Sequence, residues 1–372
     1  MLMDGFGSGR AKCPPTAKLT HDPEKWERSL FCNGCPDLQR CGGIASQIGG
    51  HCYMHCCGGK EGCQTVCRDN PGFVAQTREI DGFDFANVHR TTPLTQLPLI
   101  GTAPLIAHGK IRKSNVKSKI VAVKLREVVH MKSGRIRYNS RDELAGALKF
   151  DPDASIIITG IEQDKWVEPW WSIGRDKRRT LLHEFSRLNV ALVTPPNFSL
   201  FCDQPRPSDF SAMKRIALVQ AEFLEAAIPC ALHPHIITET DSQRWIDFVS
   251  ERPEIQTIAY EFTTGAGRRS IRRRHIDHLI RLAQSVERPL DLVLRGDKKI
   301  LSELAAHYRN VVYIDTNAFM KTMHRKFAIR TSNRNLRWKS VTTPDDISVE
   351  SLMQHNVSEV AAQLRLLVDD AM

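Results

Sequence analysis

Cys32, Cys35, Cys41, Cys52, Cys56, Cys57, Cys63 and Cys67 crowd one short stretch of a 372-residue chain that has eleven cysteines in all. Cys13 precedes them, and only Cys202 and Cys230 follow. Thiolates are metal ligands, and a Cys-x2-Cys pair such as Cys32 and Cys35 aims two sulfurs from one tight turn at one ion. Gly34, Gly42, Gly43, Gly49, Gly50, Gly58, Gly59 and Gly62 supply the turns, and His51 and His55 add two ligand types to the same segment. Eight thiols make two four-ligand sites, or one cluster plus one ion. A [4Fe-4S] cluster is the first expectation and zinc the alternative. The N-terminal residues lack a basic-then-apolar leader, so a cytoplasmic protein with reduced thiols is expected rather than a secreted disulfide framework.

Polar residues at strand ends are the second set with chemical potential. Glu162 and Asp164, Asn197 and Ser199, His233 and His235, Glu261 with Thr264 and Gly265, Arg295-Gly296-Asp297 and Asp315 each follow or close an apolar run. In parallel α/β folds the working groups gather at the carboxyl ends of strands. Each also has a plainer use. Asp297 and Thr316 suit helix caps, and His233 and His235 alternate with apolar neighbours in a pattern that buries them. His233, His235, Glu261 and Asp315 together would also be a donor set for a rim metal in a hydrolase.

A third set is basic. Arg268, Arg269, Arg272, Arg273 and Arg274 follow Gly265-Ala-Gly267 at a helix start, where free N–H groups already favour anions. Arg178 and Arg179 lie near Trp166, Trp170 and Trp171, and arginine beside aromatic faces suits stacked bases. With Lys+Arg 52 against Asp+Glu 42, the net charge of +10 favours a polyanionic partner, DNA or RNA. No apolar run reaches the ~18 residues of a membrane helix, so no membrane is expected. A composition 41% hydrophobic and 25% charged excludes a wholly disordered chain.

The elements that must position these groups alternate. Strand-length runs are expected at 119–125, 155–160, 190–194, 230–237, 255–262, 289–295 and 310–315. Helices are expected at 141–149, 175–188, 209–227, 241–251, 270–287, 297–308 and 316–327. Seven βα units in a row mean parallel strands buried on both faces. The expected fold is a TIM-like (β/α) barrel, irregular or short of its eighth unit, with an open doubly wound sheet as the alternative. The division expected is a Cys-rich metal module over 1–70, a proline-interrupted connector over 71–118, the barrel over 119–342 and a helical tail over 343–372.

Thr194-Pro-Pro-Asn-Phe-Ser-Leu, Glu261-Phe-Thr-Thr-Gly265, Arg295-Gly-Asp297 and Ile314-Asp-Thr-Asn-Ala-Phe-Met320 resemble a little-characterised barrel family of phages and mobile elements, over about residues 150–340. More distantly, the same stretch is similar to tRNA-guanine transglycosylases and their DNA-modifying phage relatives. That resemblance implies a transferase that exchanges a guanine-type base in nucleic acid. Asp315 would be the nucleophile, Glu261 or Asp203 a second acid, and Gly296 with the 261–265 turn the base pocket. The C-terminal zinc motif of the transglycosylases is absent here, and the cysteine module stands at the other end. The remaining function class is a non-catalytic nucleic-acid-binding module with a structural metal knot.

Overall fold

The computed structural model describes residues 78–94, 100–200, 206–263, 265–331, 335–340 and 348–369. Short apolar runs form the strands: β1 (Gly101–Ile106), β2 (Ile120–Lys124), β3 (Val129–His130), β4 (Arg135–Ile136), β5 (Ser155–Thr159), β6 (Leu192–Thr194), β7 (Thr257–Glu261), β8 (Asp291–Arg295), β9 (Val311–Asp315), β10 (Lys326–Arg330) and β11 (Leu336–Ser340). The α-helices are α1 (Leu125–Val128), α2 (Arg141–Leu148), α3 (Asp164–Ser172), α4 (Arg175–Phe185), α5 (Arg206–Glu225), α6 (Glu239–Ser250), α7 (Arg269–Ser285), α8 (Leu301–Ala305), α9 (Asn317–Met323) and α10 (Val349–Asp369).

Seven strands make one sheet in the order β6-β5-β2-β1-β9-β8-β7, and every pairing in it is parallel. Its two edges meet through residues 230–232. Cys230 bridges Val193 of β6, and Leu232 bridges Ile258 of β7. Ala231 N–H donates to Val193 O at 2.8 Å and Leu232 N–H to Thr257 O at 2.9 Å. That short stave joins the ends of the sheet, and the staves then follow the chain around the ring: β1, β2, β5, β6, 230–232, β7, β8, β9. This is the progression of a (β/α) barrel.

The first stave lies inside the stretch read from sequence as a connector. Pro104 hides it, because a proline within a strand argues against one. Here Pro104 sits opposite Asp315 of β9, and β1 pairs on its other side with β2. The expected strand over 230–237 shrinks to its first three residues, and the loop after it turns at Pro234, where His235 N–H reaches His233 O at 2.9 Å. Helix α3, which carries all three clustered tryptophans, was not expected.

Side-chain alternation sorts the core into two compartments. Ala103, Leu105, Ile120, Ala122, Ile157, Leu192, Ala231, Ala259, Val293, Val312 and Ile314 fill the lumen, with a contribution from every stave. Val121, Val123, Ile156, Ile158, Leu232, Ile258, Leu292 and Leu294 belong to the larger cluster formed with the helices. Two additions brace the outside. Asn356 of α10 accepts from Ala328 N–H at 2.9 Å and donates to Thr322 Oγ1 and Lys326 O, each at 2.9 Å, pinning the β10–β11 hairpin and α9 to α10. Residues 78–94 lie along α5 and α6, where buried Lys214 donates to Asp84 O and Asn87 Oδ1. Phe85 stacks on Trp245 with centroids 4.9 Å apart.

Candidate active site at the barrel mouth

The phase of each strand dictates what stands at its carboxyl end. Continuing the lumen series Ile120, Ala122 brings Lys124 inward. Ile157 leads to Thr159, Leu192 to Thr194, Ala259 to Glu261, and Val293 to Arg295. Thr194 Oγ1 donates to Thr159 Oγ1 at 3.0 Å. Lys124 Nζ lies 2.7 Å from Glu162 Oε1, and Arg126 Nε lies 3.3 Å from Glu162 Oε2. The Glu162 side chain is only 6% exposed, so the contact is largely shielded from solvent. Its backbone N–H donates to Asn197 Oδ1 at 3.0 Å, which ties the third and fourth staves' loops together. Ser199 does a similar job, with its hydroxyl 2.6 Å from Asp164 Oδ1.

Arg295 crosses the opening. It leaves β8, the seventh stave, and its Nη1 donates to Ile161 O at 2.8 Å, beyond the third stave and half a ring away. Ile161 belongs to the luminal plug. The guanidinium therefore floors the mouth, and its Nε is buried with no hydrogen-bond partner. Beside it Glu261 is partly buried. Burial pushes its carboxyl above the usual range, Arg295 and Lys124 oppose that, and Glu162 adds to it. Two carboxyls and three cations thus meet over a dry plug, with one carboxyl biased toward its protonated form and the other held by two cations.

Gly296 makes this possible. Its φ is +115°, and a Cβ there would stand 2.4 Å from Phe262 C and 2.7 Å from Thr263 N. Tyr313 Oη donates to Gly296 O at 2.5 Å. Gly265 opens the short turn Gly265–Gly267 before α7.

Other expected members stand elsewhere. Asp315 has outward phase, since Ile314 faces the lumen. Its two oxygens accept Asn317 N–H at 3.0 Å and Ala318 N–H at 2.7 Å, capping α9. Burial raises its carboxyl against those two bonds and Lys298. His233 and His235 belong to the helix layer. His233 is 3% exposed and stacks on Tyr260 at 5.2 Å and 5°. His235 lies 5.8 Å from His233 and 6.2 Å from His275, centroid to centroid. Tyr260 Oη is 2.6 Å from His275 Nδ1. His278 Nδ1 is 2.7 Å from Ser242 Oγ and its Nε2 3.2 Å from Pro234 O. Both ring nitrogens of His233 and Nδ1 of His235 have no hydrogen-bond partner among the described residues. Burial pulls His233 down to about 3, His235 to about 4 and His278 to about 3, so these rings are neutral near pH 7. The rim metal expected from His233, His235, Glu261 and Asp315 does not assemble, because these residues face different compartments. Among the described residues no three His, Cys, Asp or Glu side chains stand where one ion would hold them.

The arginines divide in the same way. Arg178 is buried and gives a two-pronged pair to Glu222, both bonds 2.7 Å, while lying 4.4 Å over the Trp171 ring. It packs inside the protein. Arg272 pairs with Asp297, Arg273 with Asp277 and Glu303, and Arg274 with Glu239. Arg179, Arg268 and Arg269 are exposed and enter no ion pair among the described residues. Asp203, Thr264 and all eight cysteines from Cys32 to Cys67 lie outside the described residues.

Sequence reasoning did not single out Lys124 or Arg126 and left Glu162 without a role. The signal was present: the lumen phase of KIVAVKL puts the final lysine inward. The fold and this mouth define a (β/α)-barrel protein whose charged groups converge where such barrels carry their chemistry. No family model and no curated protein matches the chain.

Proposed function

We propose that the mouth is the active site of an enzyme that breaks or exchanges the glycosidic bond of a nucleobase in DNA or RNA. The observation that carries it is the split pair of carboxyls: Glu261, raised by burial, beside Glu162, which two cations hold. Such a division of labour suits glycosyl transfer, with one group as acid and the other facing the developing positive charge on the sugar. Glu261 gives its proton to the leaving base as the C–N bond breaks and the bonding pair departs with the base. Glu162 attacks or shields the anomeric carbon. Water, or an incoming base, then bonds to that carbon, releases the Glu162 carboxylate where that had bonded, and returns a proton to Glu261. Arg295, partly exposed at the mouth, faces acceptor atoms of the base. The nucleophile's role implied for Asp315 by the transglycosylase resemblance moves here to Glu162, because Asp315 is turned outward and occupied. The target base reaches the mouth from a single strand or flipped from a duplex.

The cysteine segment is proposed to hold the [4Fe-4S] cluster or zinc on its eight thiols. Metal and sulfide analysis of the full chain decides between them. For the mouth, the test is release or exchange of labelled bases from DNA and RNA. Glu261→Gln should lower kcat by about 10²–10⁴-fold with KM little changed. Asp315→Asn should keep most turnover. An active Glu261→Gln protein, or a dead but folded Asp315→Asn protein, would send the chemistry back to Asp315.

A further inference from the structure

Three tryptophans share α3, and the fold gives them different work. Trp170 is fully buried and Trp171 nearly so. Trp166 is half-buried, in the first turn of the helix that follows Glu162. The Arg126 guanidinium lies 4.7 Å from its ring centroid, and the Lys165 ammonium 5.6 Å. The same Arg126 contacts Glu162 at 3.3 Å. Its Nε makes no well-formed hydrogen bond. A guanidinium set over an indole therefore begins at the edge of the mouth and ends at a carboxylate proposed to act in it. On the far side of the opening, the turn after β7 presents Arg268 and Arg269, exposed and without an ion pair among the described residues.

We propose that the Arg126–Trp166 layer is a stacking platform for an unpaired base of a single-stranded nucleic acid, and that Arg268 and Arg269 take phosphates of the same strand across the mouth. This rests on the reading of the mouth as a nucleic-acid site and names the form of substrate it admits. The chemistry is general. A guanidinium over an aromatic ring extends the π-face on which any base stacks, whatever its identity. Exposed, unpaired arginines at a distance follow the backbone. The neighbouring Glu162 keeps the platform next to the reacting centre, so that a base stacked there fixes the register of the base beside it. Arg126 is shared with Glu127 and Glu162, each 3.3 Å from its Nε, while near Arg268 and Arg269 the acidic Asp297 is taken up by Arg272.

The test is fluorescence anisotropy of the full chain with a labelled mixed-sequence single strand of about ten nucleotides, as DNA and as RNA. Trp166→Ala should weaken binding about tenfold with an unchanged salt slope, and Trp166→Phe should recover most of it. Arg268→Ala with Arg269→Ala should lower the slope of log Kd against log salt by about 1.4, two phosphates' worth for a single strand. Thermal melting of each variant separates binding loss from unfolding. The platform is overturned if folded Trp166→Ala binds as wild type does, or if the wild-type chain binds neither strand or prefers duplex. Binding that follows the pattern above with no base released or exchanged keeps the platform and removes the glycosidic chemistry.

Discussion

At the residue scale, position on the pleat matters more than chemical type. Asp315 and Glu261 are both acids on the last residue of a barrel strand, yet one faces the helices and the other the lumen. Asp315→Ala removes two caps from α9 and should lower stability by about 1–2 kcal/mol in urea titration. Gly296→Ala should do more harm. It forces a side chain into left-handed backbone, about 1–3 kcal/mol alone, and drives the new carbon into the Phe262 carbonyl, 2.4 Å away. A folded, fully stable Gly296→Ala protein would mean that the turn after β8 relaxes easily and does not set the position of Arg295.

At the element scale, helices α4 and α5 are joined by a pair that sequence reading assigned to a ligand. Arg178→Ala leaves the Glu222 carboxylate shielded and unmatched and should cost about 3–5 kcal/mol. Arg179→Ala, one residue on but exposed, should stay within about 0.5 kcal/mol. Parallel chemical denaturation of the two variants checks the contrast. Much of the architecture was legible: buried Val- and Ile-rich runs gave six staves near their true bounds, and amphipathic spacing gave most of the helices between them. The misses have local physical causes. Pro104 concealed β1, and tight turning at Pro234 cut the 230–237 run to a bridge. The mouth was half legible, since Glu261, Arg295 and Gly296 were found by looking at strand ends. Glu162 stood in the same list without a role, Lys124 needed the in–out phase of β2, and Arg126 lies just beyond it in α1, where a list of polar ends does not reach. Arginine runs look alike in sequence whether they meet solvent, as Arg268 and Arg269 do, or carboxylates, as Arg272 and Arg273 do.

At the scale of the whole molecule, the four histidines between α6, α7 and the barrel wall make the fold sensitive to acid. Burial depresses His233, His235, His275 and His278 below the ordinary value of 6.5. Below that value the unfolded chain takes up protons that the folded chain refuses. Stability is therefore full above pH 6.5 and falls as pH drops toward about 3–4, where the folded rings begin to titrate. Each ring contributes up to about 1.4 kcal/mol per pH unit within that window. The raised carboxyls of Glu261 and Asp315 act in the opposite sense, from their ordinary carboxylate values upward. Urea midpoints at neutral pH and near pH 5 should differ steeply, and His233→Phe should flatten the dependence by about one proton. A flat profile in the wild-type chain would mean that these rings are hydrated in solution. The same view explains why no helix of the described residues is long and apolar enough to cross a membrane: their apolar faces are spent on the barrel wall.

The bond from Arg295 to Ile161 has one more implication. Below that guanidinium the lumen is solid side chain from every stave. The chamber is thus a cul-de-sac. If the mouth acts on a polymer as proposed, whatever enters must back out through the same doorway, so a departing fragment and its successor wait on each other and withdrawal paces turnover as much as bond breaking does.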